Sequence, residues 1–355
     1  MDRSIGIRKR SSEENPSIFH QKQANNSDSI MQTPHLSAQD VFKKFESQNV
    51  GSPSANYLAM YSSWLGGIVT DPALMLLPID DHMVHRGDGV FEAIKVINGG
   101  VYLLEEHLDR LTVSASKIDL KIPWSKSELK ELILETCRAA FTHARADKGQ
   151  TFTLRLFVSR GPGSFGPSPY DTVGSQFYCI LTKAAKISEQ KYSSGVSIGK
   201  SLIPVKPLWY PTVKSCNYLP NVLMKKESVD RKLDFTVSYT EDGFVAEGST
   251  ENIFILDRKG ILKHPGLDYV LKGTMLARLF DLAEAHTKIP VQRSVDISES
   301  ELLTASGIFM AGTTMDILPV TEYEGKKIKI PEEFAKLHQL LKQDQIPGSK
   351  KLTVI

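Results

Sequence analysis

Apolar and polar residues alternate over Phe91-Glu92-Ala93-Ile94-Lys95-Val96-Ile97, the period of a half-buried strand. Asn98-Gly99-Gly100 follows as a hairpin turn, and Val101-Tyr102-Leu103-Leu104 returns. An earlier strand is expected within Asn56–Tyr61. Leu108, Leu111 and Ala115 recur at helical spacing and predict a helix over 105–118. A second helix is predicted over 125–145, opened by Ser125 as a cap. Strands are expected at 151–159 and 176–183, separated by a Gly/Pro loop at 161–169. The second half predicts strands at 195–203, 235–239, 251–257, 307–311 and 317–323, with helices over 217–231 and 273–286. Short strands alternate with helices and with turns such as Glu241-Asp242-Gly243, so the pattern predicts α+β or mixed α/β domains rather than a barrel.

The chain of 355 residues is long enough for two domains. The expected division is an N-terminal extension over 1–50, a small α/β domain over 51–184, a polar linker over 185–194 and a larger domain over 195–345. The extension is rich in Ser, Asn, Gln and charge, so little fixed structure is expected there beyond a short helix at 38–47. Asp2, Glu13, Glu14 and Asp28 argue against a transit peptide, and no secretory core is present. A net charge of +2 demands neither nucleic acid nor an anionic membrane as partner. No apolar run approaches the ~20 residues needed to cross a bilayer. Cys137, Cys179 and Cys216 are odd in number and widely spaced, which fits a reducing compartment and gives no zinc-type spacing. The expected location is the cytoplasm, with a plastid as the alternative.

Several residues could carry chemistry. Lys214 precedes a predicted helix and is flanked by Val213 and, two residues on, Cys216, a hint of burial that would depress its pKa. Glu247 follows a strand and leads into Gly248-Ser249-Thr250. Arg110, beside Asp109 and near Glu106, is either a helix-surface ion pair or a fork for a phosphate. Lys272-Gly273-Thr274 and Gly312-Thr313-Thr314 are small-residue turns whose amides would suit an anion. Asp80, Asp81, His82 and His85 cluster, but no second cluster accompanies them, and no metal is expected.

The order of these pieces is informative. His85-Arg86-Gly87-Asp88-Gly89-Val90-Phe91-Glu92, Glu106-His107-Leu108-Asp109-Arg110-Leu111, Lys214-Ser215-Cys216-Asn217-Tyr218, Glu247-Gly248, Leu271-Lys272-Gly273-Thr274 and Gly312-Thr313-Thr314 together resemble the class-IV aminotransferases over about residues 56–335. The resemblance implies fold type IV, two α/β domains with pyridoxal 5'-phosphate between them, and a homodimer. It implies that Lys214 is the Schiff-base lysine and catalytic base, that Glu247 partners the ring nitrogen, and that Tyr218 lies near the ring hydroxyl. Arg110, Gly273, Thr274 and Thr313 match the phosphate-binding positions. Phe91, Arg155 and Thr314 match the substrate side. The implied partners are an amino acid and a 2-oxo acid.

Within that family the motifs divide. Phe91-Glu92 is similar to branched-chain aminotransferases, and the Thr313-Thr314 pair is transaminase-like. The two residues between Lys214 and Asn217 are similar to D-amino-acid aminotransferases and to aminodeoxychorismate lyases. No Arg-x-His follows Arg160-Gly161, and Met275 stands where many members carry threonine. The expected activity is an amino-acid aminotransferase of the branched-chain or D-amino-acid type. The alternative is 4-amino-4-deoxychorismate lyase, which releases pyruvate and p-aminobenzoate.

Overall fold

Two sheets with helices on their outer faces carry nearly all the regular structure. They are seen in a computed structural model that describes residues 33–47, 54–143, 146–185, 187–207 and 209–355. Compact units divide between Lys44 and Phe45. The expectations for residues 1–32 and 48–53 lie outside the described residues. The expected helix near 38–47 is Ala38–Ser47, and its start is closed reciprocally. Ser37 donates its amide to Asp40 Oδ2 at 2.9 Å, and Asp40 donates its own to Ser37 Oγ at 3.3 Å.

The first sheet is antiparallel throughout. Its strand order is Leu352–Val354, Gly100–Tyr102, Gly89–Ile97, Phe152–Ser159, Gln176–Lys183, Tyr57–Ser62 and Gly67–Val69. Helices Leu104–Ser116 and Lys126–His143 cover one face, and Val90, Ile94, Val96, Leu154, Leu108, Leu111 and Ile133 share one core there. Ser125 caps the second helix as expected, with Glu128 reaching back to its amide at 2.7 Å. The last strand lies beyond the expected C-terminal boundary at 345 and returns to the first sheet.

The second sheet runs in the order Val291–Val295, Leu262–Pro265, Asn252–Leu256, Gly307–Gly312, Asp316–Tyr323, Val196–Lys200, Phe235–Tyr239 and Val245–Gly248. One further pairing, Asn252 with Glu247, joins its third strand to its last. Six strands therefore close into a ring, which corrects the expectation of domains without a barrel. The periodicity explains why both faces are apolar. Ile253, Ile255, Ile308, Met310, Leu318 and Val320 fill the inside of the ring. Phe254, Leu256, Phe309, Ala311 and Ile317 face outward against helices Thr274–His286 and Glu333–Asp344. The polar stretch expected as a linker contains a short helix, Gln190–Ser194.

Candidate active site

The site begins with a splice between distant segments. The Phe91 amide donates to the Lys214 carbonyl at 2.9 Å, and the Cys216 amide donates to the Gly89 carbonyl at 2.8 Å. Residues 214–216 thus run as an extra strand against the start of Gly89–Ile97, with Val90 opposite Ser215. Gly87 leaves this approach open. It ends the short helix His82–Arg86 with φ +67°, and a Cβ there would meet Asn217 Oδ1 at 2.6 Å. Ser114, from helix Leu104–Ser116, accepts the Lys214 amide at 3.2 Å.

The Lys214 ammonium consequently lies 4.6 Å from the Phe91 ring centroid. Among the described residues it has no hydrogen bond or ion pair. Burial and the Arg110 charge pull its pKa down to about 8, against the opposing pull of Glu92 and Glu247. Phe91 in turn meets Tyr218 edge-on at 5.1 Å and stacks with Phe157 at 6.1 Å.

Lys214 opens on a cavity of about 330 Å³ between the two sheets. Phe91, Ala93, Thr153, Arg155 and Phe157 form one wall, and Thr313, Thr314 and Met315 form another. The structure therefore gathers Lys214, Tyr218, Phe91, Arg155, Thr313 and Thr314 around one space. Arg155 enters it without an ion pair among the described residues. Cys216 also lines it, and burial pushes its thiol up to about 12, so it is a neutral wall.

Glu247 lies in a recess of about 30 Å³ that also touches Lys214 and Tyr218. Burial raises its pKa to about 7, although the Leu271 amide donates to Oε2 at 3.1 Å and Lys206 and Lys214 oppose the rise. Glu247 Oε1 and the Tyr218 hydroxyl have no hydrogen-bond partner among the described residues. Lys206 lines the same recess, 5.4 Å from the Tyr218 ring centroid. Nothing in its sequence setting but two flanking prolines, Pro204 and Pro207, marked it out.

Arg110, Gly273 and Thr274 meet behind this recess. Arg110 makes a two-pronged pair with Glu92, donating Nε to Oε1 at 2.7 Å and Nη2 to Oε2 at 2.6 Å. His107 Nδ1 lies 2.7 Å from the same Oε2. Burial alone would raise the Glu92 pKa, but Arg110 and His107 overcome it and hold the carboxyl at about 2. Arg110 is ion-paired, as one of its two readings expected, but to Glu92 rather than to Asp109 or Glu106. Its Nη1 donates to the Lys272 carbonyl at 2.9 Å, which ties it to the start of helix Thr274–His286. Gly273 caps that helix without a side-chain acceptor. A Cβ there would meet Asn252 Oδ1 at 1.8 Å. The Thr274 hydroxyl lies 3.2 Å from His107 Nε2. The motif residues Glu92 and His107 carried no expected role, because their partners come from outside their own segments.

This arrangement suits a cofactor with an aldehyde, a basic ring nitrogen and a phosphate. It offers a near-neutral amine, a carboxyl with an open lone pair, an unpartnered phenol, and a guanidinium beside uncapped helix amides. Among the described residues no group of three His, Cys, Asp or Glu is arranged to hold a metal. No helix among them is long and apolar enough to cross a membrane.

The family model for amino-transferase class IV matches residues 89–323. The chain is 34% identical over 329 residues to a D-amino-acid transaminase, chloroplastic, of Arabidopsis thaliana, covering 91% of this chain and 85% of that one. It is 32% identical over 266 residues to a putative branched-chain-amino-acid aminotransferase of Methanocaldococcus jannaschii, covering 75% and 88%. The branched-chain aminotransferase from Thermoproteus uzoniensis, solved with norvaline, shares the fold with a TM-score of 0.74 and 24% identity, over 84% of this chain and 99% of that one.

The low pKa of Lys214 has a direct readout. In the cofactor-free protein, pulse labelling with an amine-reactive anhydride should give Lys214 a midpoint near pH 8. Surface lysines should stay near ~10.4. Arg110→Met should raise the Lys214 midpoint, because it removes a cation. A Lys214 midpoint equal to that of surface lysines contradicts the electrostatic reading.

Proposed function

The chain belongs to the class-IV aminotransferases, and we propose that it moves an amino group from a D-amino acid to a 2-oxo acid, with Lys214 as the group that moves the proton. The observation that carries this reading is the unpaired Lys214 amine, held over Phe91 and open to a cavity between the sheets. The likeness to the Arabidopsis relative, and the two-residue interval between Lys214 and Asn217, favour a D-amino acid as donor. A branched-chain donor is the second reading, supported by the Methanocaldococcus relative and by Phe91-Glu92.

The cofactor is pyridoxal 5'-phosphate. When bound it supplies an electrophilic carbon and an electron-accepting ring. Lys214 would hold its aldehyde end, Glu247 the ring nitrogen and Tyr218 the ring hydroxyl. Arg110, the Gly273–Thr274 amides and Thr313 would hold the phosphate. The residues then divide the work. With a pKa near 8, Lys214 has a usable neutral fraction at ordinary pH and takes the Cα proton on its Nζ. Glu247, at about 7 before it gains a cationic neighbour, ionises beside one and keeps it protonated. Glu92 fixes Arg110 from behind, so the guanidinium's direction is set before any anion arrives. Arg155 and Thr314 receive the substrate carboxylate, and Phe91, Phe157 and Met315 shield the reacting bonds from water.

We also infer a homodimer. Leu74, Leu76, Leu77, Ile79 and Val84 crowd apolar surface into one short stretch, and Ile79 is 73% exposed. The Arabidopsis relative is described as chloroplastic, which favours a plastid over the cytoplasm.

A paired assay decides the reaction. The enzyme with D-alanine and 2-oxoglutarate should form pyruvate and glutamate faster than L-leucine forms its keto acid. Faster turnover of L-leucine establishes the branched-chain reading. Pyruvate released from aminodeoxychorismate without a keto-acid acceptor, and no transamination, establishes the lyase. For the assembly, analytical ultracentrifugation at micromolar protein should show a dimer, and Ile79→Asp should shift it toward monomer. A wild-type monomer under those conditions overturns the dimer.

A further inference from the structure

The strand Gly89–Ile97 shows two faces to two different surroundings. Glu92, Ile94 and Val96 point toward the helices of the first core. Phe91 and Ala93 line the cavity, and Lys95 is the next residue on that face. Lys95 is only 5% exposed, and it does not line the cavity. Its ammonium donates to Asp316 Oδ1 at 2.7 Å and to Gln345 Oε1 at 3.1 Å. Gln345 closes the triangle by donating Nε2 to Asp316 Oδ1 at 2.8 Å. The other carboxylate oxygen, Oδ2, faces Lys342 at 3.4 Å.

Asp316 is the residue that ends the threonine turn. Gly312 pairs with Asp316 across a loop of Thr313, Thr314 and Met315. The loop closes with Asp316 at φ +58°, a left-handed conformation that Asp tolerates better than most residues. Tyr192 adds a second restraint by donating its hydroxyl to the Met315 carbonyl at 3.1 Å. The charged pair therefore joins the two walls of the cavity from outside it. One partner stands just beyond Ala93, the other just beyond Thr314 and Met315.

We propose that Lys95 and Asp316 are a positioning pair that locks the Thr313–Thr314 turn against the Phe91–Ala93 wall and so sets the width of the substrate end of the cavity. A buried pair contributes little net stability, because desolvation offsets the attraction, and apolar residues of similar size would pack as well. What an apolar pair lacks is direction. The ammonium, the carboxylate and the Gln345 amide fix one register between sheet, turn and C-terminal helix. The inference rests on reading this cavity as the amino-acid site, and turnover by the wild-type enzyme tests that reading before any variant is made.

The test compares Lys95→Met, Asp316→Asn and the double variant in the full-length, cofactor-loaded enzyme. Asn keeps the left-handed backbone available. Each single variant should lower Tm, because it strands a buried charge. The double variant should recover most of that Tm. All three should raise KM for the amino donor by about ten-fold while kcat moves less than about three-fold. Cofactor affinity, titrated into the cofactor-free protein, should fall by a smaller factor than KM rises, because Thr313 is only one of the groups proposed for the phosphate. Gln345→Ala, which keeps both charges, should raise KM in the same direction by a smaller factor, and it supplies a folded protein if the charge variants fail. A double variant, or a Gln345→Ala protein, with wild-type KM overturns the proposal, because the pair then only balances charge. A fall in cofactor affinity with KM unchanged overturns it as well.

Discussion

The Phe91 amide donates to the Lys214 carbonyl, and the Cys216 amide donates to the Gly89 carbonyl. These two backbone bonds splice the lysine segment onto the first sheet. They carry the amine over an aromatic ring and away from any carboxylate that would pair with it. Water would otherwise hold a lysine's charge fully solvated, with a pKa near ~10.4. Removing much of that water and placing Arg110 within electrostatic reach brings it to about 8. The remainder of the site follows from this placement. The spliced segment contributes Lys214 and Cys216 to the cavity wall, and Tyr218, which follows it, meets Phe91 edge-on.

Charge is managed by separation. Arg110 would repel Lys214 strongly if it stood alone, but Glu92 accepts both of its prongs. Glu92 remains ionised because its folded pKa, about 2, is far below the unfolded value of ~4.3. The stability it contributes is therefore complete above the unfolded value and is lost as pH falls through the folded one. Glu247 moves the opposite way. Burial raises it to about 7, and a cation set against its open oxygen would bring it down again. One buried carboxylate is thus fixed in its charge, and the other would respond to a cation bound beside it. In the proposed site the first would orient Arg110 toward the phosphate, and the second would face the ring nitrogen.

Local pattern disclosed much of this. The alternation over Phe91–Ile97 identified the strand, and the same alternation puts Phe91, Ala93 and Lys95 on the cavity face. Ser125 and Glu128 cap a helix where the sequence predicted one. Lys214, Glu247, Arg110 and the two threonine turns were legible as an ordered set and come together in space. What stayed hidden depends on partners far along the chain. The ring of six strands closes through a single pair, Asn252 with Glu247, which no periodicity announces. The strand Leu352–Val354 is too short to show a period and is held by Gly100–Tyr102. Lys206 gave no local signal because its neighbours in the recess belong to other segments. Asp316 carried no expected role, and its charge acquires meaning only through Lys95, distant in sequence.

Lys214, and not its neighbour Lys206, is the residue proposed to bond to the cofactor. Borohydride reduction of the cofactor-loaded protein, followed by peptide mapping, tests this directly. One phosphopyridoxyl-modified lysine is expected, at position 214, with no modification at 206. Lys214→Ala should leave no lysine labelled. Label on Lys206 in the wild-type protein, or undiminished labelling in Lys214→Ala, would contradict it.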